Sequence, residues 1–165
     1  MKITAVSRSA VLTASLSLMM LLSSFAAALG GLSAGITAGS SGGGQAGLNV
    51  RGTYPLIDLG TADEPVSLAL RADAAFSLSR LTVPALGAAL VLQVEPVGRL
   101  GAYLGGGAGV TFGEGTLASA YMFTGIRYQL TGGLHAVLEG GANLNAYGTF
   151  TSLGLGLEYT FGARQ

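Results

Sequence analysis

The chain has 165 residues with eight basic and eight acidic side chains; half of its residues are hydrophobic and a tenth are charged. That charged share lies far below the roughly one quarter usual in water-soluble domains and points to lipid as the solvent for much of the surface. The absence of a basic cluster argues against nucleic acid as a partner, and the absence of cysteine excludes a disulfide framework, thiolate chemistry and a lipid-anchored amino terminus.

In chain order, residues 1–28 read as a cleaved signal peptide. Lys2 and Arg8 precede an apolar run at 10–22, and Ala26-Ala27-Ala28 supplies a small-residue cleavage site. The run is shorter than the ~20 residues that a helical span needs. Residues 29–165 are then one domain, in which six arginines face eight carboxylates. Its charge-free stretches, 81–94 and 100–113, hold 14 residues each and are too short for membrane helices. A closed barrel is the other way to cross a bilayer, using strands of about 9–11 residues that alternate apolar-out with polar-or-small-in.

Eight segments meet that description, and the expected fold is an all-β, antiparallel, up-and-down transmembrane barrel. Residues 32–38 and 46–54 alternate loosely. From 66 to 76, Val66, Leu68, Leu70, Ala72, Ala74 and Phe76 share one face, while Ser67, Ala69, Arg71, Asp73 and Ala75 share the other. The next two segments put Leu86, Leu90, Leu92 and Val94, then Leu100, Leu104, Val110 and Phe112, outward; Tyr103 and Gly101, Gly105, Gly107 and Gly109 face in. In 116–130, Met122, Ile126, Tyr128 and Leu130 face out and Arg127 and Gln129 in. In 134–145, Leu134, Leu138 and Leu144 oppose His135, Glu139, Asn143 and Asn145. The last segment sets Leu153, Leu155, Leu157, Tyr159 and Phe161 against Ser152, Gly154, Gly156, Glu158 and Thr160. Turn-rich pieces at 39–44, 55–65, 77–84, 96–98, 113–115, 131–133 and 148–149 separate them, which requires antiparallel neighbours.

An up-and-down path that starts on the periplasmic side sorts the aromatic residues into two girdles. Phe76, Phe112, Tyr147 and Phe150 fall at the outer rim, and Tyr54, Tyr128, Tyr159 and Phe161 at the periplasmic rim. Inside, a turn at Gly148-Thr149 places Glu139 directly opposite Glu158, two carboxylates that need a cation between them. Arg127 and Arg71 are the candidates, so Arg71, Asp73, Arg127, Glu139 and Glu158 are expected to form an interior polar network. Eight strands leave a lumen just wide enough for side chains to fill.

The stretch Gly125-Ile126-Arg127-Tyr128-Gln129-Leu130-Thr131 with its turn Gly132-Gly133, and Leu153-Gly154-Leu155-Gly156-Leu157-Glu158-Tyr159-Thr160-Phe161, resemble the small outer-membrane barrel superfamily. That superfamily includes the transmembrane domain of outer membrane protein A and surface-antigen-like porins. The resemblance covers the last third of the chain. It implies residence in outer-membrane lipid and, through a last strand ending in Phe161, recognition by the barrel-assembly machinery. His135 is the only histidine and lies just past a periplasmic turn. No nucleophile elbow or metal-ligand spacing accompanies it, and Gly105-Gly106-Gly107 falls within a strand rather than a phosphate-binding loop. No catalytic residue, metal site or cofactor is therefore expected. The expected function is a structural, anchoring barrel that contributes to envelope integrity; the alternative is a binder or transporter of a small apolar ligand, seated against the glycines of the fifth strand.

Overall fold

The computed structural model describes residues 32–41, 45–61, 65–77, 85–94, 98–112 and 115–161. The expected signal peptide lies outside these residues, as do residues 162–165. Eight strands follow one another: β1 Ser33–Ser41, β2 Gln45–Asp58, β3 Val66–Ser77, β4 Ala85–Val94, β5 Leu100–Phe112, β6 Thr116–Thr131, β7 Leu134–Asn145 and β8 Gly148–Thr160. Each pairs antiparallel with its neighbours, and β1 pairs with β8, so the sheet closes without an edge. The fold is the expected all-β up-and-down barrel. No helix among the described residues is long and apolar enough to cross a membrane.

Register determines the shape of this closure. The pairing path from Gly101 runs through Arg127, Val137, Gly156, Thr37, Asn49, Ala75 and Ala85 and returns to β5 at Thr111, ten residues along the same strand. With a rise of about 3.3 Å per residue and strands about 4.8 Å apart, that stagger demands a tilt of about 40° to the barrel axis. At this tilt a strand of 10 to 13 residues, the length of β3, β4, β5, β7 and β8, rises about 25–33 Å along the axis, enough to cross the apolar layer of a bilayer.

The two faces of the sheet invert the rule for soluble proteins. Leu104, Met122 and Leu155 are 58%, 67% and 65% exposed, whereas Arg51 and Arg71 are only 1% and 3% exposed. The alternation proposed from the sequence places these side chains correctly: Leu70, Leu90, Ile126 and Leu157 stand on the outside, and Ala69, Ala89, Val91, Tyr103, Phe123 and Val137 pack together inside. An apolar exterior on a sheet with no edge needs hydrocarbon around it.

The lumen is filled by setting large side chains on one strand against glycine on the next. Along the β5–β6 pair, Arg127 lies opposite Gly101, Tyr103 opposite Gly125, Phe123 opposite Gly105 and Tyr121 opposite Gly107. A Cβ at Gly105 would sit 2.5 Å from the Phe123 ring, so the missing side chain is the space that the ring occupies. The glycine patch of the fifth strand, expected to leave room for a ligand, is thus largely taken up by the residues of β6.

Besides one-residue extensions of β3 to Ser77 and β6 to Thr131, three boundaries differ from the sequence reading. β1 runs on through Gly39 and Ser40 to Ser41, and β2 passes Pro55 through a bulge to reach Asp58. The third concerns the last hairpin: its turn is Ala146-Tyr147, and Gly148 already belongs to β8. Tyr54, Tyr128 and Tyr159 project outward near the rim where β1 begins and β8 ends, with Phe161 edge-on to Tyr159 at 5.0 Å. Phe112 and the 81% exposed Tyr147 are at the far rim, and Phe76 shares the outward parity of Leu70 on β3. Phe150 is a correction to the expected girdle. It pairs with Asn143, has the inward parity of Ser152, and lines the mouth of the lumen instead of facing lipid.

Leu104→Arg tests the lipid-facing assignment. In phospholipid vesicles it is expected to destabilise the folded barrel by about 2–4 kcal/mol, the cost of a cation on the outer face at mid-depth, read from a urea titration followed by the gel shift between folded and heat-denatured forms. At a water-exposed position the same change would fall within about 0.5 kcal/mol of neutral.

Candidate functional site: the charged belt of the lumen

Three arginines and three carboxylates reach into the middle of the barrel from β2, β3, β6, β7 and β8. Arg71 on β3 meets Glu139 on β7 with both ends of its fork, Nη1 donating to Oε2 at 2.5 Å and Nη2 to Oε1 at 2.9 Å. Its Nε donates to Asp73 Oδ1 at 2.7 Å, and its guanidinium lies 4.0 Å from the centre of the Phe123 ring. Glu139 also accepts from Arg51 Nη1 and from the Tyr103 hydroxyl, both at 2.7 Å. Arg51 Nε stands 3.0 Å from Glu158 Oε2, and Arg127 Nη1 stands 3.7 Å from Glu158 Oε1. Tyr121 donates to Asp73 Oδ2 at 3.2 Å.

Parity and register explain why these groups meet. Every one of them occupies an inward position, and the tilt of the strands carries β3 and β7 side chains to a common level although the two strands lie on opposite sides of the ring. The charges balance, three against three. Taking them out of water is costly, and only the mutual geometry offsets it; bidentate Arg71–Glu139 pairing is the strongest form of that contact.

All five residues proposed from the sequence, Arg71, Asp73, Arg127, Glu139 and Glu158, do line the lumen, but their connections differ from expectation. Glu139 does not face Glu158 across the last hairpin. It pairs with Gly154, and Glu158 pairs with His135. The cause is local: Asn145 Oδ1 accepts from Tyr147 N at 2.9 Å, and Gly148 takes a φ of 128°, so the chain reverses two residues earlier than Gly148-Thr149 would have it. The cation between the two glutamates is Arg51, not Arg71 or Arg127. Its signal was present in the sequence, since Arg51 is the single charged residue of the segment 46–54 and shares the parity of Gly47, Asn49 and Thr53. Tyr103 and Tyr121, the hydroxyl donors of the belt, carry no sequence mark beyond inward parity.

The belt divides the interior. On its far-rim side lies a cavity of about 530 Å³, whose lining includes Asn49, Arg71, Asp73, Tyr121, Glu139 and Asn143. On the side where β1 begins and β8 ends lies one of about 460 Å³, bordered by Ser33, Thr53, Asp58, Gln93, Arg127 and Thr160. No residue lines both. His135 points inward beside Glu158, and its Nδ1 has no hydrogen-bond partner among the described residues. No cluster of three or more His, Asp or Glu side chains among the described residues could hold a metal.

Solved structures share this architecture at low sequence identity. A de novo designed transmembrane β-barrel superposes with a TM-score of 0.62 and 16% identity, covering 79% of this chain and 95% of the design. The outer membrane enzyme PagL matches with a TM-score of 0.58 and 12% identity, over 77% of this chain and 98% of its own. The N-terminal β-barrel domain of Pseudomonas aeruginosa OprF matches with a TM-score of 0.55 and 17% identity, over 78% and 97%. No protein-family model matches the sequence, and no curated protein is significantly similar to it. Closed sheet and apolar exterior together define a small transmembrane β-barrel, and these likenesses show the same fold. Within that class it is an eight-stranded barrel whose lumen is occupied by a neutral belt of ion pairs.

Removing Arg51 should be among the most damaging single changes in the lumen. Arg51→Met is expected to cost about 3–5 kcal/mol, because it leaves two buried carboxylates short of a cation. Arg127→Ala, which takes a cation away from Glu158, should lower stability as well. Adding Glu158→Gln to Arg51→Met should recover part of the loss in the same urea titration; an unchanged stability in Arg51→Met would show that the belt carries none of it.

Proposed function

We propose that the protein is exported under the direction of residues 1–28 and serves in the outer membrane as a structural, anchoring barrel that contributes to envelope integrity. The observation that carries this reading is the belt: Arg51, Arg71, Tyr103 and Glu139 span the middle of the lumen and separate the two cavities, which is the arrangement of a plug and not of a conduit. On this reading the rim of the chain ends faces the periplasm, lipid surrounds the leucine-rich exterior, and the last strand with Tyr159 and Phe161 is what the barrel-assembly machinery engages. No catalytic residue is assigned, since His135 is set beside Glu158 without a nucleophile of its own.

The far-rim cavity favours a second reading, a binder of a small ligand. Transport through the barrel is disfavoured by the same belt.

Two measurements test the first reading. Envelope fractionation should place the chain with the outer membrane as a band that shifts on boiling, and the purified barrel in a planar bilayer should show no steady ion conductance. A sustained conductance would overturn the plugged-barrel reading, and recovery in the soluble fraction would overturn the outer-membrane one.

A further inference from the structure

We propose that the far-rim cavity holds a small, uncharged apolar molecule of single-ring size, seated on a bare wall formed by β1, β2 and β8. This rests on the small-ligand reading and moves the ligand from the glycines of β5, whose space β6 takes up, to a second row of glycines. At about 530 Å³ the cavity lies within the ≈ 300–1,000 Å³ span of small-molecule sites.

Register creates the wall. Gly39 pairs with Gly47 on one side and with Gly154 on the other, so three adjacent strands present glycine on one row, and all three residues line the cavity. Backbone packing accounts for two of them: a Cβ at Gly39 would collide with the Leu153 carbonyl, and one at Gly47 would lie 3.2 Å from the Phe76 carbonyl oxygen. Gly154 is different. A Cβ there would meet nothing closer than 3.6 Å, an ordinary contact, and its backbone is not left-handed. Neither crowding nor conformation requires glycine at 154, and what its bareness provides is open space in the cavity.

The other walls decide the chemistry. Tyr121 reaches into the cavity from β6, across the ring from β2, and is partly exposed. Its hydroxyl is spent on Asp73 at 3.2 Å, which leaves the ring as what it offers. Phe150, also partly exposed, stands at the mouth. The ionic groups that reach the floor, Arg71, Asp73 and Glu139, are bonded to one another and to Arg51. The oxygens Asn49 Oδ1 and Asn143 Oδ1 are buried and closed to an incoming molecule. A charged or hydroxyl-rich molecule would therefore exchange its water for groups that are already paired or out of reach. An apolar ring loses nothing on entry and packs between aromatic faces and a smooth glycine wall.

The test is a titration of the full, ¹⁵N-labelled barrel in phosphatidylcholine nanodiscs with toluene and separately with maltose, following the backbone amides of Gly39, Gly47 and Gly154. Toluene is expected to shift them saturably, with ~1 mM as a weak but specific affinity, while the amide of Gly101, opposite Arg127, stays in place. Gly154→Leu should weaken toluene binding at least about tenfold by filling the site. Gly106→Leu, the same enlargement at an exposed position opposite Met122 on the lipid-facing side, should leave binding unchanged. If Gly154→Leu gives no heat-shifted band, Gly154→Ala takes its place, since its methyl has room, and should still weaken binding. Equal binding in wild type and the Gly154 variant would overturn the assignment to this wall. Saturation by maltose and not by toluene would overturn the apolar ligand and leave the small-ligand reading standing; saturation by neither would overturn both.

Discussion

The carboxylate of Glu139 is the point on which the interior depends. Arg71 grips both of its oxygens, Arg51 and Tyr103 reach it from neighbouring levels, and through Arg51 it is linked to Glu158 and so to Arg127. Arg51, Arg71, Arg127 and Glu158 are buried, and no apolar filling could satisfy such charges one at a time. The contacts therefore act as a set: each ion is tolerable because the others are in place. The apolar half of the filling, Ala69, Ala89, Val91, Phe123 and Val137, packs together beside the belt.

Glycine makes that geometry possible. In a barrel with ten residues of stagger over eight strands, bulky groups from adjacent strands would collide if every inward position carried a side chain. Alternating Gly101, Gly105 and Gly107 on β5 with Arg127, Phe123 and Tyr121 on β6 removes half of the bulk from each pair. The unusual glycine content is thus a packing solution for a thin cylinder, leaving room in the lumen for Arg127, Tyr103, Phe123 and Tyr121.

Much of this was legible in the residues. Two-residue alternation identified all eight strands and which side chains face lipid, because lipid imposes one demand at every outward position and small or polar residues mark the inward ones. The composition of the belt was largely legible for the same reason. What could not be read was who touches whom, since contacts across the lumen depend on strand stagger, and stagger is spread over every turn of the barrel. One turn was misjudged: Gly148-Thr149 has the look of a reversal, yet the Asn145 side chain captures the Tyr147 amide and turns the chain sooner. That shift separated Glu139 from Glu158 and brought Arg51 between them. Phe150 was misplaced although its parity, shared with Ser152, Gly154 and Glu158, already marked it as inward.

The early turn at Ala146-Tyr147 also bears on how the barrel finds its proper form. A β7–β8 hairpin that slips by an even number of residues keeps Leu138, Leu144, Leu155 and Leu157 toward lipid and Gly154 and Gly156 toward the lumen, so the membrane cannot distinguish the slipped sheet from the right one. The charges can. In a slipped β7–β8 pair Glu158 would no longer meet Arg51 where Glu139 does, and a narrow, water-poor interior would hold unpaired ions. The belt thereby acts as the gauge of register in a structure whose outer face has no means of checking it.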